Sequence, residues 1–219
     1  MKPLLKIMGL LALVFASLFL LLNATGVLTM AKIEVWLVAA QSANPVFVGL
    51  LVAALLFADL IIAVPTLATL LLAGYFIGAG PAALAGSIGL LAAGIGGYGI
   101  SRRYGDWFVR HIVKDPQQRE AAATTFRRHG PVVILLARAM PMLPEVSACM
   151  AGLTRMPFSR FLALWALSVI PYCWIVAYAG SRSTIDDPRP ALLTAIALAV
   201  FFWSAWAIFN RRAKAAKRR

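Results

Sequence analysis

Acidic side chains are scarce in this chain: eight Asp and Glu face 21 Lys and Arg across 219 residues. Charge of either sign is thin, at 13% of residues, whereas soluble domains carry roughly 25%. The charges that exist are unevenly placed. No Asp, Glu, Lys or Arg lies between Lys6 and Lys32, Asp59 and Arg102, Arg160 and Arg182, or Arg189 and Arg211. A soluble helix needs a polar face, and these stretches cannot supply one. An ordinary soluble domain is therefore excluded. Cysteine and histidine are sparse too. Cys149 and Cys173 sit apart in apolar segments, without C-x-x-C spacing, and read as small buried hydrophobes. His111 and His129 lie far apart in a basic stretch, which argues against a metal site. No Ser, Cys or His constellation supports hydrolysis, so the chain is not expected to be an enzyme, and no motif calls for a cofactor.

What the chain has is apolar length. Hydrophobic residues make up 62% of it. Uncharged runs of about 20 residues match a hydrocarbon core roughly 30 Å thick at 1.5 Å of rise per residue. The expected fold class is an all-α polytopic membrane protein. Pro81–Ile100, Phe161–Gly180 and Ala191–Phe209 read as ordinary spans, and Ile7–Leu22 as a slightly short one. That first run also resembles a signal peptide, but it lacks a clear cleavage site, which favours a retained span. Val35–Ala43 reads as interfacial. The net charge of +13 invites a nucleic-acid reading, yet the basic residues flank apolar runs as orientation signals do, and no nucleic-acid-binding motif accompanies them. Gly94-Ile-Gly96-Gly-Tyr-Gly99 matches a dinucleotide pattern, but it lies inside a span rather than after a strand. With Gly89, Ala93 and Gly97 every four residues, close helix packing explains these glycines better.

Two apolar segments are interrupted. Val46–Gly78 contains Asp59 and Pro65; Val132–Gly152 contains Arg138, Pro141, Pro144 and Glu145. Arms of about nine residues beside the second set of prolines reach roughly 13 Å, half a bilayer. Such arms can enter and return, which makes the second segment a re-entrant hairpin and the first a looser one. With the N-terminus inside and both hairpins returning to the face they entered, seventeen of the 21 Lys and Arg fall on the cytoplasmic side. Seven of these lie in the expected cytoplasmic loop Ser101–His129; Lys32, Arg182 and Arg189 fall outside. A hairpin that crosses twice has the same parity, so the count does not separate the two. Asp59 precedes Pro65 by six positions, as Arg138 precedes Pro144, and Ala73-Gly74 and Ala151-Gly152 follow. Each hairpin is followed by a whole span, which predicts an inverted repeat with extra N- and C-terminal spans.

Asp59, Arg138 and Glu145 are the ionisable residues deep in these segments, Tyr and Cys apart. A charge at mid-membrane costs about 2.5–3.5 kcal/mol on insertion scales, and such residues line cavities, pair or bind substrate. Pro141 and Pro144 leave backbone groups without helical partners, tolerable where protein or a cavity shields them. Half-helix N-termini and the planar fork of Arg138 suit an anion, and a lipid headgroup phosphate is the obvious anion there. The structural alternative is an Arg138–Glu145 or Arg138–Asp59 pair that pins the hairpins together.

From roughly residue 46 to 181 the chain resembles the VTT-domain superfamily, which includes the DedA membrane proteins and their TVP-type relatives. The first half carries Pro65-Thr-Leu-Ala-Thr-Leu-Leu-Leu-Ala-Gly74, Gly78 and Ile100-Ser-Arg-Arg-Tyr-Gly105; the second carries Arg138-Ala-Met-Pro141-Met-Leu-Pro144, Ala151-Gly152-Leu-Thr154-Arg-Met156 and Phe161. Thr66 and Leu67 stand where DedA proteins commonly have an acid, and Pro144 where they have a second arginine; the P-x-x-P hairpin is closer to the TVP-type branch. The resemblance implies two opposed re-entrant hairpins meeting at a central site, and transport of phospholipids or polyprenyl phosphates. Arg138, Pro141, Pro144 and Gly152 would then bind substrate, with Asp59 and Glu145 coupling protons or pairing.

The chain is thus expected to comprise residues 1–44 as an N-terminal span and interfacial segment, 45–181 as the core, and 182–219 as a C-terminal span and basic tail. Its expected place is the cytoplasmic membrane with both termini inside. Its expected partners are membrane lipids with phosphate headgroups, with a homo-oligomer left open. A small-solute or ion transporter and a non-transporting assembly protein are the alternatives.

Overall fold

The protein is described by a computed structural model over residues 44–61, 64–112, 116–139, 143–183 and 189–216. All regular structure among these residues is helical. The predicted N-terminal span and interfacial segment, and Pro141, lie outside them.

The first interrupted segment forms two short helices. Helix α1 spans Pro45–Ala58 and α2 spans Thr66–Ile77. The side chain of Asn44 accepts from the Val46 amide at 3.0 Å, and Pro45 follows in the first turn, where its missing N–H is not needed. At roughly 21 and 18 Å, neither helix crosses a 30 Å core. Gly78, at φ 83°, ends α2 and lets α3 begin at once.

Helix α3 spans Ala79–Ile112, and its apolar part, Ala79–Gly105, is long enough to cross a membrane. Helix α4 spans Pro116–Leu136. The basic stretch expected as a loop over Ser101–His129 is therefore helical wherever it is described. Gln117 to Ala123 are good helix formers after an N-terminal proline, and propensity carries the chain where no apolar face does. Pro131 does not end α4 either. Phe126, Gly130, Val133, Ile134 and Ala137 are all buried, a helical stripe that runs past the proline and holds the helix together through packing. The first arm of the second interrupted segment is thus the end of a 21-residue helix rather than a separate nine-residue piece.

A 3-10 turn over Ala137–Ala139 follows, then α5 over Leu143–Leu153. Eight of its 11 residues are buried. It closes with Met156 N–H donating to Ala151 O and Arg155 N–H to Gly152 O, both at 3.0 Å, with Arg155 in the left-handed region at φ 53°. Helices α6, Phe158–Arg182, and α7, Arg189–Ala216, are long and apolar. Both carry predicted spans; α6 extends its span by a few residues, and α7 continues past its own to Ala216.

The packing crosses between the halves. Helix α2 lies against α6, α5 lies against α3, and α3 and α6 lie against each other. Glycines permit these approaches. A Cβ on Gly74 would collide with the Ala177 carbonyl, and one on Gly180 with the Leu71 carbonyl, so α2 and α6 meet backbone to backbone. Gly152 is the counterpart in α5, where a Cβ would strike the Tyr98 carbonyl of α3. Within α3, Gly89 faces α1 and Gly97 faces Leu60 just beyond it, so the four-residue spacing serves close packing of this arm, while Gly94 faces Trp165. Helix α7 is the exception: none of its spanning window is buried, and it rests on α6, α4 and the 3-10 turn.

Candidate functional site

The first break is held by Asp59. Its Oδ1 accepts from the Val64 amide at 2.7 Å and its Oδ2 from the Thr66 hydroxyl at 3.1 Å. The carboxylate, itself buried, therefore bridges the end of α1 and the start of α2, satisfying amide and hydroxyl donors that the interruption exposes. Thr66 stands where the resemblance leads one to expect an acid; here it is the partner of one.

The second break leaves one atom of each of its two charges without a hydrogen bond. Arg138, on the 3-10 turn, and Glu145, in the first turn of α5, line one narrow cavity with Asp59, Leu60, Ala148 and Trp165. Leu90, Ala93 and Gly94, from the middle of the α3 span, form its floor. The cavity therefore lies about halfway along the span, with room for about one water molecule. Arg138 Nη2 and Glu145 Oε2 are buried there, and neither has a hydrogen-bond partner. No hydrogen bond joins these two atoms.

Two aromatic rings support the guanidinium. Arg138 Cζ lies 5.8 Å from the Trp165 ring centroid and 5.0 Å from that of Tyr172, within cation–π range. Trp165 is anchored in turn by its indole N–H, which donates to Leu90 O at 3.0 Å. It stacks on Phe161 at 5.6 Å, and Phe161 stacks on Tyr98 at 4.7 Å. Tyr98 receives a hydrogen bond from Arg102 and donates to Met156 O. A continuous aromatic stack thus runs from the basic end of α3 to Arg138. Trp165 and Tyr172 were missed in the sequence, although aromatic residues seven apart share one helix face.

The structure brings Asp59, Arg138 and Glu145 to one cavity. Pro144 is buried in the first turn of α5, where its carbonyl accepts from Ser147 Oγ at 2.8 Å. Gly152 is buried against α3 and does not line the cavity; its lack of a side chain serves packing.

Comparison with known proteins matches the sequence to a family. The model of the VTT domain covers residues 64–182, more than half of the chain. The chain belongs to the VTT-domain family. A curated relative is undecaprenyl phosphate transporter A of Bacillus subtilis (strain 168), 28% identical over 138 residues, or 57% of this chain and 68% of that protein. No solved structure matches the chain. Both interrupted segments carry their prolines within the VTT match, while Asp59 lies just before it. With three helices among the described residues long and apolar enough to cross, this VTT protein is a multi-pass membrane protein.

Proposed function

We propose that this protein moves a lipid with a phosphate headgroup, a phospholipid or a polyprenyl phosphate, between the leaflets of the cytoplasmic membrane. The observation that carries the reading is the unpartnered Nη2 of Arg138, buried in a cavity at mid-span. A permanently charged fork held there with Nη2 unbonded suits an anion that arrives from elsewhere. The relative's named substrate is a lipid phosphate. Trp165 and Tyr172 hold the guanidinium in place; Glu145 is the carboxylate free to take part in proton coupling, while Asp59 braces the first break. The narrow cavity must widen to admit a headgroup, as alternating access requires.

In this reading the two breaks are the tips of re-entrant hairpins entering from opposite faces. The support is the mid-span position of a cavity shared by both breaks, the shortness of α1, α2 and α5, and the crossed packing of each second arm on the other half's long helix. Both termini then lie inside.

Reconstitution of the full chain into vesicles tests the proposal. Labelled polyprenyl phosphate placed in one leaflet should reach the other faster than in protein-free vesicles, and Arg138→Ala should remove the gain. Solute flux without lipid movement would establish the small-solute alternative, and neither would leave an assembly protein.

A further inference from the structure

The cavity holds a donor and an acceptor that do not satisfy each other. Arg138 Nη2 has a proton to give and Glu145 Oε2 has lone pairs to fill, both are buried, and no bond joins them. Apart from Arg138, no described side chain lining the cavity has a free donor for Glu145. Among the described residues that line the cavity, Arg138 and Trp165 are the ones with side-chain donors. The Trp165 indole N–H is committed to Leu90 O at 3.0 Å. Just outside, the Ser147 hydroxyl is committed to Pro144 O at 2.8 Å and that of Thr66 to Asp59. Asp59 is itself an acceptor, with both oxygens engaged. A ligand that offers only acceptor oxygens would satisfy Arg138 and be repelled by Glu145, and an unpaired buried carboxylate is costly.

Resting on the lipid-transport reading above, we propose that this site selects a headgroup that brings its own hydrogen-bond donor beside its anionic oxygen. A phosphate monoester of a long-chain alcohol does so in its singly protonated form: one P–O⁻ accepts from Arg138 and one P–OH donates to Glu145. The second ionisation of a phosphate monoester lies at about 6 when the alcohol is serine, so the protonated form is accessible near neutral pH. A simple phosphate diester keeps the negative charge and loses the O–H. The specificity therefore resides in Glu145, and Arg138 supplies affinity for phosphate in general.

The decisive probe is a polyprenyl phosphate and its methyl ester, with the same chain; the singly protonated form of the first carries one negative charge, as the ester does, and keeps the O–H that the ester lacks. Transfer between leaflets is measured with full-length protein in vesicles. The monoester should move at least about tenfold faster than the methyl ester, the scale of one lost hydrogen bond to a charged group. Glu145→Gln should bring that ratio towards one, because a carboxamide N–H can donate to an ester oxygen. Equal wild-type rates would overturn the inference and leave the transport reading standing; a protonated Glu145 donating to either lipid would give that result. A preference that survives Glu145→Gln would also overturn it, and if that variant does not fold, the wild-type ratio decides alone. If neither lipid moves, the transport reading falls and this inference with it. Inorganic phosphate loaded into the same vesicles distinguishes the source: release of free phosphate without lipid movement assigns the site to a soluble anion and overturns both.

Discussion

At the first break the Asp59 carboxylate is fully engaged by its own chain, through the Val64 amide and the Thr66 hydroxyl. At the second, Arg138 and Glu145 each keep a buried polar atom without a partner. The two breaks sit at matching places in the sequence, six residues before a proline, and face the same cavity. Their charges nevertheless do different work. One closes a gap in the backbone hydrogen bonding of a discontinuous segment, as irregular chain in a membrane requires. The others are left available, which in a buried setting is tolerated where a ligand completes them. A charged residue in an apolar segment is thus not by itself a substrate residue.

The largest expected effect is at Arg138. Arg138→Lys keeps the charge but loses the planar fork, and transport should fall by about tenfold or more, or about 1.4 kcal/mol of lost interaction. Thermal unfolding in detergent should show the variant still folded. Full transport by the lysine variant would mean that charge alone suffices; unfolding in step with lost transport would make Arg138 as structural as Asp59 and erase the difference between the breaks.

Next come the paired glycines. Gly74→Ala and Gly152→Ala each place a methyl group against a backbone carbonyl on the opposite half's long helix. Each should destabilise by about 1–3 kcal/mol, read as a lowered Tm. Similar losses sharpen the case for equivalent halves. A loss confined to one position would show that the two arms dock differently.

Asp59 gives a smaller, more diagnostic effect. Asp59→Ala removes both bonds across the break and should cost about 1–3 kcal/mol. Asp59→Asn can still accept from Val64, and its amide can donate to the Thr66 hydroxyl, so stability and most transport should remain. Abolished transport in a stable Asp59→Asn protein would place Asp59 with Arg138 and Glu145, contrary to the brace assigned to it. The smallest effect is expected at Gly99, which has open space around it on α3. Gly99→Ala should stabilise by about 0.5–1 kcal/mol through helix propensity alone.

Much of the fold was legible because lipid imposes a simple rule. Long uncharged stretches marked α3, α6 and α7, and Asp59, Arg138 and Glu145 stood out as the charges such stretches should not contain. The extent of α4 was not legible, since Gly130-Pro131 signals a stop and only the buried stripe through Phe126, Ile134 and Ala137 overrides it. Trp165 and Tyr172 were hidden for a different reason: an aromatic in an apolar span looks like any lipid-facing residue until its neighbours are known. Helices α5 and α7 show the same limit. Both read as apolar, yet one is almost wholly buried and the other not at all along its spanning window. Small side chains in α5, at Ser147, Ala148, Cys149, Ala151 and Gly152, hint at the difference, because they allow close approach.

By itself, then, the sequence determined that this chain lives in a membrane, where its helices are interrupted, and which charges lie at those interruptions. Hydropathy and proline are local properties, and they act before any packing exists. Only the tertiary structure decided which charge is bonded by its own neighbours in the chain and which keeps a buried polar atom without a partner. Hydrogen-bond satisfaction depends on what is within about 3 Å, and partners such as Leu90 for Trp165, or the aromatic rings for Arg138, come from distant parts of the chain.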